Sequence, residues 1–442
     1  LLSPKSPFRW LLEKEWRELI ASRSWWLLLI GMGPLVGMSF IGSVRTYAEL
    51  SGLNGGQAGV GEAMAPLIGV WAPTFSACEL AAVFLLPFVA IRLIAGDRES
   101  GALKLELQQG IGSFARMSAK ALVLLAGWIL AMLPPLSAVL LWKSYGGTVH
   151  PPELFTLMLG HLLNAGLTIG IAAAMAAVAE HHATAAILTL GATVGTWILS
   201  FVGAVQGGFW ERAAGYTPAA MVSEFQHGLI RLDVTLIACV LTAMGLSISG
   251  VWMRLGVPVR RRVYESVAIA VLAVTGIAVG SFANVSWDAS ESRANSFPEP
   301  DEEALKKIPG KLVIEVHLAS EDPRRVDLEA HALSKLRRTI RNVEVRYVAA
   351  TSIGIFEQAS EGYGEIRYEL NGRRAMTRAT TAESVLESIY AVAQVKPPVE
   401  SDEDTFRGHP LAKAPKGAEI LFYLLWPVVF FGGAILARRS LK

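Results

Sequence analysis

Ionisable or strongly hydrogen-bonding side chains interrupt the apolar stretches of this 442-residue sequence at a few places where chemistry could occur. Glu79 lies in the run SACELAAV, toward the start of a long apolar segment. A carboxylate inside a membrane span marks a substrate or ion path, because charge is costly to hold there. The other reading places Glu79 at the outer water interface. His161 and Asn164 stand one helical turn apart in a later apolar segment, where such side chains hydrogen-bond between helices. Glu180, His181 and His182 are three ligand types in a row, but consecutive side chains do not converge on one ion, and they read as a solvated turn.

Other chemistry is excluded. There is no Walker A loop, no HExxH helix and no GxSxG elbow. The glycines Gly55, Gly56, Gly59 and Gly61 are not followed by Gly-Lys-Ser/Thr and read as linker. Two cysteines, Cys78 and Cys239, both in apolar runs, make neither a disulfide framework nor a Cys-based metal site. Nothing in the sequence hydrolyses ATP, so energy for any driven process must come from a partner.

The elements carrying these residues follow from composition. Hydrophobic residues make up 52% and charged residues only 18%, against roughly 25% charged in a soluble domain. A purely soluble enzyme and a disordered chain are both excluded. The net charge of +2 gives no support for nucleic-acid binding. A span needs about 20 apolar residues. Eight segments qualify: 25–44, 75–94, 119–142, 155–179, 183–205, 234–255, 267–282 (the shortest) and 420–437. With both termini inside, the cytoplasmic segments hold 17 Lys and Arg and the short outer loops hold 4. That asymmetry sets the orientation. The long segment 284–416 then lies outside.

Residues 7–23 form an amphipathic helix with Leu12, Trp16 and Leu19 at helical spacing, suited to the membrane interface. Residues 95–118 are a cytoplasmic segment with mixed charges, and on charge alone read as a solvated loop. Residues 206–233 carry Phe209, Trp210, Tyr216 and Phe225, as expected of helices in the outer interface. Residues 286–310 read as a linker. Beyond it, 311–318 and 342–350 alternate as strands, and 325–341 has helical spacing. The segment 365–380 contains the hairpin signal Asn371-Gly372. Residues 381–395 form a helix with Thr381 as N-cap. The order β-α-β-β-β-α resembles the thioredoxin topology, without a cysteine for thiol chemistry.

Several short motifs, in order, carry a family resemblance. They are Lys14-Glu15 in the first helix, Asp97-Arg98-Glu99-Ser100-Gly101 after the second span, and Lys120 opening the third. The segment Tyr216-Thr217-Pro218 through Phe225, Gly228, Leu229 and Asp233 precedes the sixth span. Together, over residues 7–256, they resemble the membrane subunit of type-2 ABC exporters. The remainder is similar to a shortened auxiliary subunit of gliding-motility-type ABC systems. It matches through Arg260–Arg262, the external α/β domain, Gly408-His409-Pro410-Leu411 and Trp426-Pro427.

The expected protein is an α-helical polytopic membrane protein of about eight transmembrane helices with a small extracytoplasmic α/β domain. Its parts are an interfacial helix (1–23), a six-helix permease domain (24–256), a basic loop with the seventh span (257–285), the α/β domain with linkers (286–416), and the eighth span with its tail (417–442). The resemblance implies a bacterial inner-membrane subunit of an exporter. This chain would hold no cofactor, and ATP and Mg would be bound by a partner ATPase in two copies. A second permease copy and membrane lipid complete the working unit, and residues 311–395 would hold an extracytoplasmic protein. Lys14, Glu15, Asp97, Arg98, Glu99, Ser100 and Gly101 would dock the ATPase, and Glu79 would line the path. The competing expectations are force transmission to an envelope protein without cargo, and an intramembrane enzyme using Glu79 or His181 and His182.

Overall fold

Long runs with few charges leave backbone groups no partner but one another in lipid, which favours helix. The computed structural model describes residues 7–50, 65–102, 110–206, 208–283, 285–319, 322–340, 342–348, 362–398, 409, 411 and 416–440. The helices run α1 (Pro7–Ala21), α2 (Arg23–Leu50), α3 (Ala72–Phe84), α4 (Leu86–Ser100), α5 (Ser113–Ala131), α6 (Leu133–Ser144) and α7 (Pro151–Val178). They continue as α8 (His182–Gln206), α9 (Gly208–Ala214), α10 (Pro218–Gln226), strand β1 (Leu229–Arg231), α11 (Leu232–Trp252) and α12 (Val259–Gly280).

Among the described residues, eight helical stretches are long and apolar enough to cross a membrane. This is the build of a multi-pass membrane protein, and each stretch overlaps one expected from sequence. Some differ in extent. The second begins at Leu67, through a π-helical turn Leu67–Trp71, rather than at residue 75. The seventh begins at Val259 and spans 22 residues, so it is not short. α2 also continues to Leu50 through part of the expected outer loop; the rest of that loop lies outside the described residues.

Prolines set the breaks. α3 ends and α4 begins around Leu85, just before Pro87, and α5 gives way to α6 at Met132, before Pro134 and Pro135. A proline supplies no N–H and crowds the preceding turn. Small residues set the closest approach. A Cβ on Gly245 of α11 would lie 2.4 Å from the Gly170 carbonyl oxygen of α7, so these spans meet backbone to backbone. The second and fourth spans are the most enclosed, 67% and 72% buried, whereas the fifth, seventh and eighth are 17%, 11% and 11% buried and present apolar faces outward.

The second compact unit comprises 199–215 and 290–407. Within it lie α13 (Glu299–Lys306), β3 (Leu312–Val316), α14 (Pro323–Leu328), α15 (Ser334–Thr339), β4 (Val343–Tyr347), β5 (Ile366–Leu370), β6 (Arg373–Thr377) and α16 (Ala382–Ala393). The sheet order is β4-β3-β5-β6, with β3 parallel to β4 and antiparallel to β5, and β5 antiparallel to β6. The order of elements is the expected one. Asn371 and Gly372 both have positive φ, as a two-residue hairpin demands, and Thr381 caps α16 by accepting from the Ser384 N–H. Leu312, Ile314 and Val316 alternate inward with Ile366, Tyr368 and Leu370 against Leu328, Leu333, Leu336, Val385 and Ile389.

The expected linker 286–310 is instead structured. Ser286–Asp288 forms β2, and α13 follows. Glu299, Asp301 and Glu302 in the first turn of α13 suit its positive end, Leu305 is buried, and the Tyr390 hydroxyl donates to Asp301 at 2.5 Å. An acid-rich stretch here is a helix start.

The chain returns through a π-helical turn Ile420–Leu425 into α17 (Trp426–Ser440). Trp426 and Phe422 sit over Gly33 and Gly37 of α2, where a Cβ would come within 2.2 and 2.4 Å of them, and the Trp426 indole donates to the Leu29 carbonyl at 2.8 Å.

Candidate functional site

On α1 the buried positions are Leu11, Glu15 and Leu19, at intervals of four. Of the expected apolar face, Leu19 is buried and Leu12 and Trp16 are partly buried. Beside it, Glu15 lies in the middle of the buried stripe. Leu19 packs over Gly127 of α5, where a Cβ would come within 2.9 Å of it. Trp26 donates its indole N–H to the Ile20 carbonyl at 2.7 Å, closing the end of α1.

A buried carboxylate needs a cation, and two supply it. Lys120 of α5 lies 2.7 Å from Glu15 Oε2 and 2.6 Å from Asp97 Oδ2, and donates to the Leu93 carbonyl at 2.9 Å. The Asp97 Oδ2 contact is an ion pair lying off the hydrogen-bonding direction. Lys14 lies 2.9 Å from Asp97 Oδ1 and 3.1 Å from both Glu15 Oε1 and Glu18 Oε1. Cations and anions thus alternate around a quartet joining α1, α4 and α5. Glu15, Asp97 and Lys120 are 0%, 4% and 2% exposed as side chains. Burial pushes the Glu15 carboxyl up from its ordinary value, and Lys120 and Lys14 pull it back. Carboxylate oxygens of Glu15, Glu18 and Asp97 lie within 4.8 Å of one another, close enough to hold a cation, and the lysine ammonium groups stand among them.

The structure therefore brings together three of the seven residues expected to dock a partner, Lys14, Glu15 and Asp97. It turns Glu15 and Asp97 inward, leaving them no surface to offer. Arg98, Glu99 and Ser100 form the last turn of α4, with side chains outside the described set, and Gly101 ends the helix with φ +76°. Residues 103–109 of the expected charged segment also lie outside it. Lys120 belonged to the resemblance but was not counted among the docking residues. One signal could have found the quartet: a lone Glu on the apolar stripe of α1 and a lone Lys early in an apolar helix require each other.

Glu79 stands well inside the 31-residue stretch Leu67–Asp97, half-buried on α3. Because that helix begins at Leu67, Glu79 is not at its start. His161 and Asn164 of α7 are 0% and 2% exposed, and their side-chain nitrogens and oxygen have no hydrogen-bond partner among the described residues. The expected interhelical bonds are not made. His161 instead lies against Phe75, ring centroids 5.6 Å apart. Glu180 and His181 form the turn before α8, which starts at His182.

The segment before the sixth span has a local logic. Thr217 caps α10 and Pro218 opens it. Gly228, with φ +81°, turns the chain into β1. β1 pairs antiparallel with β2, Leu229 opposite Asp288, and Arg231 bridges Glu224 at 3.0 Å and Asp233 at 2.7 Å. The connector into the α/β unit is thereby fastened ahead of α11. The returning connector is fastened as well. Tyr47 donates to the His409 carbonyl at 2.7 Å, Tyr145 to the Lys416 carbonyl at 2.8 Å, and Arg45 pairs with Glu419 at 2.7 Å.

Compared with family models, curated proteins and solved structures, the chain matches none.

Proposed function

We propose that this chain is the transmembrane subunit of an ATP-driven exporter of the type-2 ABC class, with ATP and Mg bound by a separate ATPase. The supporting observation is the buried quartet Lys14–Asp97–Lys120–Glu15. It fuses the interfacial helix α1, the end of the second span and the start of the third into one block. Displacement applied to the α4 end at Arg98–Gly101 then moves three helices together. The excess of Lys and Arg at this end of the spans supports a cytoplasmic side for it and for both termini, and the family resemblance implies a bacterial inner membrane. The outward apolar faces of the fifth, seventh and eighth spans suit lipid and a second copy.

The test is purification from the native membrane in mild detergent, followed by mass spectrometry. A stoichiometric protein with a Walker A loop is expected. The paired reversal Arg98→Glu and Glu99→Lys should lose it while the chain stays folded. Purification of the folded chain alone would count against an ABC role.

A second reading, force transmission to an extracytoplasmic protein, is favoured by the two fastened connectors. The β1–β2 pair and the Tyr47 and Tyr145 bonds tie the α/β unit's stems to helix ends. Nucleotide-dependent distance changes between spin labels on the α/β unit and on α11, with no cargo moved in vesicles, would select this reading.

A further inference from the structure

A cavity of about 640 Å³ opens between α1, α4 and the start of α8. It lies where the second and fifth spans end, at Asp97 and His182, and so at the level of a membrane's headgroups. One wall is apolar, with Leu19, Phe88 and Leu93; Phe88 is 46% exposed. The other wall carries Ser22, Glu18, Arg92, Asp97 and His182.

Two polar groups on it lack partners. The Ser22 hydroxyl belongs to a residue only 5% exposed and makes no hydrogen bond among the described residues. Arg92 is exposed and has no ion-pair partner among the described residues. A buried hydroxyl without a partner is unusual and signals a missing one. A guanidinium and a hydroxyl beside an apolar wall suit a phosphodiester that carries acyl chains. The charges decide the headgroup. Asp97 is held by Lys14 and Lys120, and Glu18 meets Lys14 through Oε1. The Glu18 carboxylate, 40% exposed, disfavours a net anionic headgroup and suits an ammonium.

We propose that this cavity is a binding site for a zwitterionic, amine-bearing phospholipid. Its phosphodiester lies on Arg92 and draws round to it the Ser22 hydroxyl, which is closed off in the free chain; its ammonium faces Glu18, and its acyl chains run along Phe88 and Leu93. The site requires only that the spans cross a membrane, and stands apart from how the chain is driven.

The test is native mass spectrometry of the full chain released from nanodiscs of equimolar phosphatidylethanolamine and phosphatidylglycerol. The wild type should retain phosphatidylethanolamine through delipidation. Arg92→Gln should weaken retention about tenfold or more, as loss of a charge-assisted contact does, with an unchanged thermal melt. Ser22→Ala should lower it less, and provides the reading if Arg92→Gln does not fold. Equal retention by wild type and variants overturns the site, and preferential retention of phosphatidylglycerol overturns the headgroup assignment. Displacement of the lipid by millimolar inorganic phosphate would show a free-phosphate site and overturn the lipid reading.

Discussion

Lys120 of α5 and Glu15 of α1, far apart in sequence, meet at 2.7 Å with both side chains almost completely buried. A buried pair of this kind is weak evidence of stability, since desolvation offsets most of the attraction, but breaking it from one side strands a charge. Lys120→Met leaves Glu15 and Asp97 facing each other with Lys14 alone between them. The expected cost is roughly 3–5 kcal/mol. Adding Glu15→Gln should recover part of it, giving a coupling of about 1–3 kcal/mol. Thermal melts of the four proteins in one detergent measure this. Additive effects would mean that the two groups do not share a site.

The quartet shows how far the sequence carries. Periodicity places α1, the spans and the β-α-β-β-β-α order correctly, because those rest on local pattern. It does not show that Glu15 is buried, because hydropathy counts it as solvent-facing. Only the tertiary arrival of Lys120 makes a buried carboxylate tolerable there. Likewise α13 was hidden in an acid-rich stretch whose apolar content is small; Leu305 and the Tyr390 bond to Asp301 come from outside the local window. The start of the second span at Leu67 is not legible, since Pro66 and Pro73 mimic a loop.

The last helix is held by fit rather than charge. With Trp426 and Phe422 against Gly33 and Gly37, any side chain on these glycines collides with a ring or its Cβ. Gly33→Leu should free α17 and expose peptides of residues 420–440 to fast hydrogen exchange. Gly432→Leu, where an added Cβ meets nothing within 4 Å, is the control and should leave exchange unchanged.

Acid should loosen the α/β unit at the start of α14. Asp322 caps α14, and its carboxylate accepts from Arg324 and, at 2.8 Å, from the Tyr363 hydroxyl. Those bonds, chiefly that from Arg324, hold its pKa down at about 2. A depressed carboxylate contributes stability that is present above its unfolded pKa of about 3.9. That contribution is lost as pH falls toward the folded value. Hydrogen exchange of residues 323–333 should therefore quicken between about pH 4 and pH 2. Arg324→Gln should quicken exchange of this segment already at neutral pH and shrink its further rise between about pH 4 and pH 2. An undiminished rise would place the acid sensitivity elsewhere.

The unpartnered pair on α7 gives the clearest separation of structure from function. Asn164 is 2% exposed and its amide makes no hydrogen bond within the described residues. A buried polar group without a partner carries its full desolvation penalty, and an apolar group of similar shape removes it. If Asn164 has no task, Asn164→Leu should stabilise the chain by about 1–3 kcal/mol and leave the ATPase activity of the proposed complex unchanged. If water or cargo normally meets Asn164 and His161, the same variant should melt no higher and should lower that activity. The two outcomes differ in sign on one readout and in presence on the other, so a single variant decides whether this polar pair belongs to a path through the membrane.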